Sequence, residues 1–284
     1  MKQISIELPK PAYLPGELVE GNARLTIDRP VKARAIKLNV VGLEETSITV
    51  GSGDDSRTYR ERNFLLKNEI ILHGPQFEKN VELPPGNYLF KFEYVIPENA
   101  LPSYKGTNSS VTYKLRAKVD VPLWFDIEDK KEIFVFRNRG ALKLLTHPAR
   151  FWSENFSNLN PDKPGFSVEL TKTGYLAGEA IEGTVNLKNM ATSRIRHIYI
   201  RLLGEEFAWA SGYHRNVTQQ KHEIEISVAN MVEGIPKLFF LPIPRDAPTS
   251  YEGLFSNFRW AVEVGLDIPF GFDVKALHPV EILR

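Results

Sequence analysis

The chain has 284 residues, 42% of them hydrophobic, which is ample for a large core and, by length, for about two domains. Lys plus Arg total 36 against 35 Asp plus Glu, a net charge of +1, so the composition points to no dedicated nucleic-acid binder. There is no cysteine, which excludes disulfides, zinc–cysteine sites, iron–sulfur clusters and thiol nucleophiles.

The N-terminus, MKQISIELPKPAYLPGE, has no apolar core behind Lys2 and does not read as a signal peptide. No run approaches eighteen apolar residues, so no membrane-spanning helix is expected and the default location is cytoplasmic. YLPGELVEG (13–21) reads as a turn that opens a strand. Pro15 presets φ, Gly16 permits the turn, and Glu17 begins the strand. Next come Arg29, Lys32, Arg34 and Lys37, read as one outer strand carrying a basic row. Such a row suits phosphate or an acidic headgroup, or is a solvated face guarding an edge. GSGDDSR holds Asp54 and Asp55, too few oxygens for calcium. The stretch 50–62 is a candidate partner-binding hairpin tip.

FKFEYVI (90–96) alternates with period two. So do Val111, Tyr113, Leu115, Ala117, Val119 and Val121 against Thr112, Lys114, Arg116, Lys118 and Asp120. That pattern is a strand with one face in a core and one in water. Residues 137–164 are expected to link two domains, with Phe151, Trp152 and Phe156 packing between them.

From 166 the chain repeats itself. FSVELTKTGYLAGEAIEG lies over ISIELPKPAYLPGELVEG without a gap at an offset of 162 (178 − 16). Ile198, Ile200, Leu202 and Gly204 match Ile36, Leu38, Val40 and Gly42 at that offset. Arg194, Arg196 and Arg201 form the related basic strand. The loop 210–220 and the alternating HEIEISVA (222–229) follow. A second block, from Pro97, recurs from Pro244 at an offset of 147 (244 − 97), carrying Ser103, Tyr104 and Gly106 onto Ser250, Tyr251 and Gly253. Phe258, Trp260, Val262, Val264, Leu266 and Ile268 alternate as their counterparts do. With no capped helical period, the chain reads as all-β: two tandem homologous immunoglobulin-like β-sandwich domains, 1–136 and 165–284. A period this long means paired domains, not a solenoid.

Two such sandwiches, each with Y-L-x-G-E-x-x-x-G and later P-S-Y-x-G before a long alternating strand, resemble arrestins. The likeness is to the broad superfamily of alpha-arrestins, the retromer arrestin-like subunit and bacterial sporulation-control arrestin-like proteins. LPPGNYLFKFEYVIPENALPSYKG, PLWFDIEDKKEIFV and the linker's NLNPDKP carry it further along the chain. The resemblance implies the arrestin fold and a non-catalytic adaptor or scaffold that binds protein partners, with an anionic membrane surface as a second expected partner. A peripheral lipid-binding module and a self-assembling structural subunit are the alternatives. Pro84-Pro85-Gly86-Asn87-Tyr88 is one residue away from P-P-x-Y, so the ubiquitin-ligase recruitment typical of alpha-arrestins is not expected. The sequence ends at HPVEILR, where the last strand of the second sandwich is expected to end, which reads as a minimal, prokaryotic-style core without a tail.

No catalytic motif, cofactor fingerprint or metal-ligating spacing occurs, so neither enzyme activity nor a cofactor is expected. The six histidines are scattered. The copies differ most tellingly in one loop, where Thr107-Asn108 of the first becomes Leu254-Phe255 of the second. Leu254 and Phe255 are the candidate membrane or partner anchor.

Overall fold

The computed structural model describes residues 2–74, 80–122, 126–137, 146–157, 163–192, 194–269, 271 and 274–284. It is nearly all strand, and the sandwich reading of the alternating runs is borne out. Two compact units emerge. Unit 1 comprises 1–137 together with 208–214 and 253–256; unit 2 comprises the rest.

In unit 1, β1 (Lys2–Glu7), β3 (Leu18–Ile27) and β8 (Gly86–Val95) form one sheet in the order β1-β3-β8. The other contains β2 (Ala12–Tyr13), β5 (Ala35–Val50), β6 (Arg57–His73), β10 (Ser109–Asp120) and β11 (Ile127–Val135) in the order β2-β11-β10-β5-β6, with β9 (Tyr104–Lys105) beside β10. A short pair, β4 (Val31–Ala33) and β7 (Val81–Leu83), stands apart. Unit 2 repeats the plan. Its first sheet runs β12 (Ala149–Trp152), β13 (Gly165–Leu170), β15 (Ala180–Lys188), β18 (Lys237–Pro242). The second runs β14 (Gly174–Leu176), β21 (Val274–Leu283), β20 (Ser256–Leu266), β16 (His197–Ala210), β17 (Tyr213–Ser227), with β19 (Tyr251–Glu252) beside β20. The segment read as a linker therefore contains an edge strand of unit 2, β12, and the four-residue helix α1 (Glu154–Ser157). Its NLNPDKP falls largely outside the described residues, as do Leu123–Phe125, Phe270 and Phe272–Asp273 of the PLWFD and PFGFD blocks.

The repeated phrase has a physical explanation at each position. Tyr13 and Tyr175 are buried, and Lys10 and Lys172 lie over their rings at 5.1 and 4.8 Å. Gly16 and Gly178 have φ of 80° and 90°, a region that L side chains avoid. The carboxylate after each glycine folds back. Glu17 accepts from the Leu14 amide and from Lys10, and Glu179 from the Leu176 amide and Lys172. The last glycine of the phrase, Gly21 or Gly183, sits opposite Phe92 or Phe239 on the next strand. A Cβ there would come within 2.5 and 2.7 Å of those rings. The tip of each aromatic ring occupies the space over its glycine, which helps pin the register.

The later block is also paired. Ser103 and Ser250 each receive a last-strand amide, from Val135 and Ile282, on their hydroxyl and donate their own amide back to the same residue. Tyr113 donates its hydroxyl to Leu101 O at 2.7 Å, and Trp260 its indole N–H to Pro248 O at 2.8 Å. The shared offset of 147 makes these the same bond made by different residues.

Candidate functional site

β5 has an anomaly on its buried face. Ile36, Leu38, Val40, Gly42, Glu44, Thr46 and Ile48 share one parity, and all are buried, so an acid sits where the alternation calls for a hydrophobe. The second copy has Glu206 at the matching position, also buried. A charge out of water must be paired or richly hydrogen-bonded. Glu44 is the latter. Its Oε1 accepts from the Phe255 amide, the Ser256 amide and the Ser256 hydroxyl, each at 2.9 Å. Its Oε2 accepts from the Leu254 amide and from Asn63 Nδ2, each at 3.1 Å. Three successive amides converge on one carboxylate, an anion-binding turn occupied by the protein's own side chain. Gly253 permits the approach, since a Cβ there would lie 2.4 Å from Oε1.

The clamp decides what the loop displays. Leu254 is 69% exposed, whereas Phe255 is half-covered, stacked on Trp209 with ring centroids 5.6 Å apart. The Trp209 amide donates to Phe255 O, and Thr46 donates its hydroxyl to Trp209 O. Of the two residues expected as an anchor, Leu254 is presented outright and Phe255 only in part. Trp209, partly exposed itself, was not foreseen. The two hairpin tips read as separate partner loops are engaged together. Ile48, Ala208 and Ala210 form a buried cluster with Val50 and Tyr59 against it, Tyr59 meets Tyr213 at 4.6 Å, and Glu61 accepts from the Ser211 amide and hydroxyl.

The basic residues are mostly neutralised. Arg29 lies in a turn, Lys32 on β4, Arg34 between strands and Lys37 on β5, so they do not share one strand as expected. The short β4–β7 pairing breaks the run. Arg34 pairs with Asp120 at 3.1 Å and Lys37 with Glu69 at 3.0 Å. Arg196 pairs with Asp267 at 2.7 Å, repeating the Arg34–Asp120 bond in the second copy. Arg201 lies over the Tyr199 ring at 3.9 Å and bonds Glu223 and Glu263. Tyr199 in turn covers Gly265, where a Cβ would meet its ring at 2.2 Å. Only Arg29, Lys32 and Arg194 of the seven have no ion-pair partner among the described residues.

The linker aromatics have partners within unit 2. Phe151 is buried and stacks on His278 at 5.2 Å, Phe156 lies under the Lys188 amine at 5.7 Å, and Trp152 is half exposed. Burial lowers the His278 pKa below its ordinary 6.5. The unfolded chain therefore takes up a proton at this site before the folded one does. Unit 2 loses stability as pH falls below about 6.5 and is unaffected by this group above it. Thermal melts against pH should show His278→Phe flattening that acid-side loss. No group of three or more His, Asp or Glu able to hold a metal occurs among the described residues, and Asp54 and Asp55 sit in an exposed turn. No helix among them is long and apolar enough to cross a membrane.

Residues 2–139 match the sequence family described as arrestin (or S-antigen), N-terminal domain. The chain is arrestin-like. It is similar to arrestin domain-containing protein A of Dictyostelium discoideum, 22% identical over 99% of this chain and 51% of that protein. Arrestin domain-containing protein B of the same organism is 23% identical, over 96% of this chain and 44% of its own length. Arrestin domain-containing protein 1 of Rattus norvegicus is also 23% identical, over 66% and 43%. This arrestin-like chain spans about half the length of the curated relatives it matches.

Proposed function

We propose that this arrestin-like chain is a non-catalytic cytoplasmic adaptor that binds protein partners through loops and sheet edges and docks at a membrane surface through the loop 253–256. The observation that carries the docking is the Glu44 clamp. It commits four hydrogen bonds to a loop that exposes Leu254 and backs it with the Phe255–Trp209 stack, while a fifth, from Asn63, holds the carboxylate itself. Pre-ordering of this kind removes the entropy a floppy loop would lose on binding. Each large apolar side chain contributes roughly 1.5–3 kcal/mol if fully buried, so the apex supports weak, reversible association. Arg62 and Arg259, which flank the clamp, are ion-paired with Glu45 and Glu252, so binding should vary little with salt.

Liposome co-sedimentation with anionic and neutral vesicles tests this. The wild type should sediment with vesicles and Leu254→Ser/Phe255→Ser should lose at least about tenfold in affinity. A wild type that stays in the supernatant at low salt, or a double variant that binds undiminished, sinks the docking surface.

A further inference from the structure

β18 is the last strand of its sheet, and no strand among the described residues pairs with its outer side. The Ile243 amide donates to Glu179 O, so the odd-numbered residues of this strand turn their backbone groups toward β15. Leu238 and Phe240 therefore turn theirs outward, to the open edge. Their side chains are 50% and 54% exposed, while Phe239 and Leu241 between and beside them are buried. Val232 and Ile235, just before the strand, are exposed as well.

The first copy supplies an internal control. Its edge strand β8 has Ile96 donating to Glu17 O in the same way, and Lys91 and Glu93 occupy the positions of Leu238 and Phe240 at the offset of 147. Charged outward residues are a common guard on an open edge. The same fold position is thus guarded in unit 1 and apolar in unit 2. Prolines can also guard an edge, but Pro236 and Pro242 stand at the two ends and leave the outward donors of Leu238 and Phe240 intact.

Those prolines are equidistant from Phe239, so P-K-L-F-F-L-P suits antiparallel pairing with itself. A two-fold axis at Phe239 sets Leu238 opposite Phe240 of a second copy, twice. Each such pair exchanges both backbone hydrogen bonds and joins two half-exposed apolar side chains on one face. A net charge of +1 opposes the approach of two copies only weakly. We propose that β18 is a self-association edge through which two copies of this chain join their unit 2 sheets. This does not depend on the adaptor reading.

Sedimentation velocity from a few to several hundred micromolar should show a concentration-dependent dimer for the wild type. Leu238→Lys/Phe240→Lys places lysines opposite lysines and should weaken the dimer at least about tenfold. An unchanged circular dichroism spectrum and thermal transition would show that its fold is intact. The register has its own readout, because the chain has no cysteine. A mixture of the single variants Leu238→Cys and Phe240→Cys should cross-link on oxidation more than either alone. A wild type that stays monomeric throughout leaves the edge to a strand of another protein and overturns the proposal. So does a double-lysine variant that dimerises like the wild type, or a mixture that cross-links no better than the single variants.

Discussion

Glu44→Ala should lower the stability of unit 1 by about 3–5 kcal/mol, because it leaves three buried or part-buried loop amides and a hydroxyl without their acceptor. In melting temperature that is a fall of roughly 6–20 °C for a unit of this size. Glu44→Gln separates charge from shape. One amide oxygen can still take the Phe255 and Ser256 donors, but the NH₂ group then faces the Leu254 amide and Asn63, donor against donor. Its loss should fall between the wild type and the alanine variant. Amide hydrogen exchange at 254–256 should accelerate in both variants. Unchanged exchange there would show that the loop is held by something other than the carboxylate. If the alanine variant also loses vesicle binding, ordering of the loop is part of the docking surface.

Trp260→Ala should be comparably severe in unit 2, at about 3–5 kcal/mol, the usual range for emptying a buried aromatic site. Trp260 is almost wholly buried, meets Phe258 edge-on at 5.2 Å, and fills the space over Gly204, where a Cβ would lie 3.0 Å from its ring. Its indole also satisfies Pro248 O, so truncation leaves that carbonyl unpaired. Tyr113→Phe, at the matching position of unit 1, removes only the bond to Leu101 O and should lose about 1 kcal/mol. With two units, unfolding need not be a single step, and calorimetry should resolve which transition each variant moves. A Trp260→Ala variant that shifted only the unit 1 transition would contradict this assignment.

Much of the fold is legible in the sequence alone. Period-two alternation is a local property, so Val111 to Val119 and Phe258 to Leu266 announced their buried faces directly. The second of these departed from the pattern at its far end, where Glu263 and Gly265 are buried too, because Tyr199 and Arg201 cover that face. β12 was hidden inside an apparent linker because four residues, of which only Phe151 is buried, carry too little periodicity to be seen.

The candidate site was harder to read. Leu254 and Phe255 were found by comparing the two copies, but the comparison ranked them equally. The structure does not, because Trp209 covers the Phe255 ring while the Leu254 side chain stays largely exposed. Glu44 did carry a signal, an acid on an apolar parity repeated at Glu206, which the charge rows drew attention away from. The arginines looked like a binding surface because their carboxylate partners, Asp120, Asp267 and Glu263, lie far along the chain.

By itself the sequence determined the duplication, the all-β class and the turn chemistry of each copy. These rest on short-range rules: strand alternation, glycine at positive φ, and a carboxylate folding back three residues. Only the tertiary structure decided which charges are spent internally, which of two apolar neighbours faces water, and that Leu238 and Phe240 lie on an open edge. Those outcomes depend on which strands become neighbours. The Glu44 clamp joins residues more than two hundred positions apart, a pairing that no local pattern encodes.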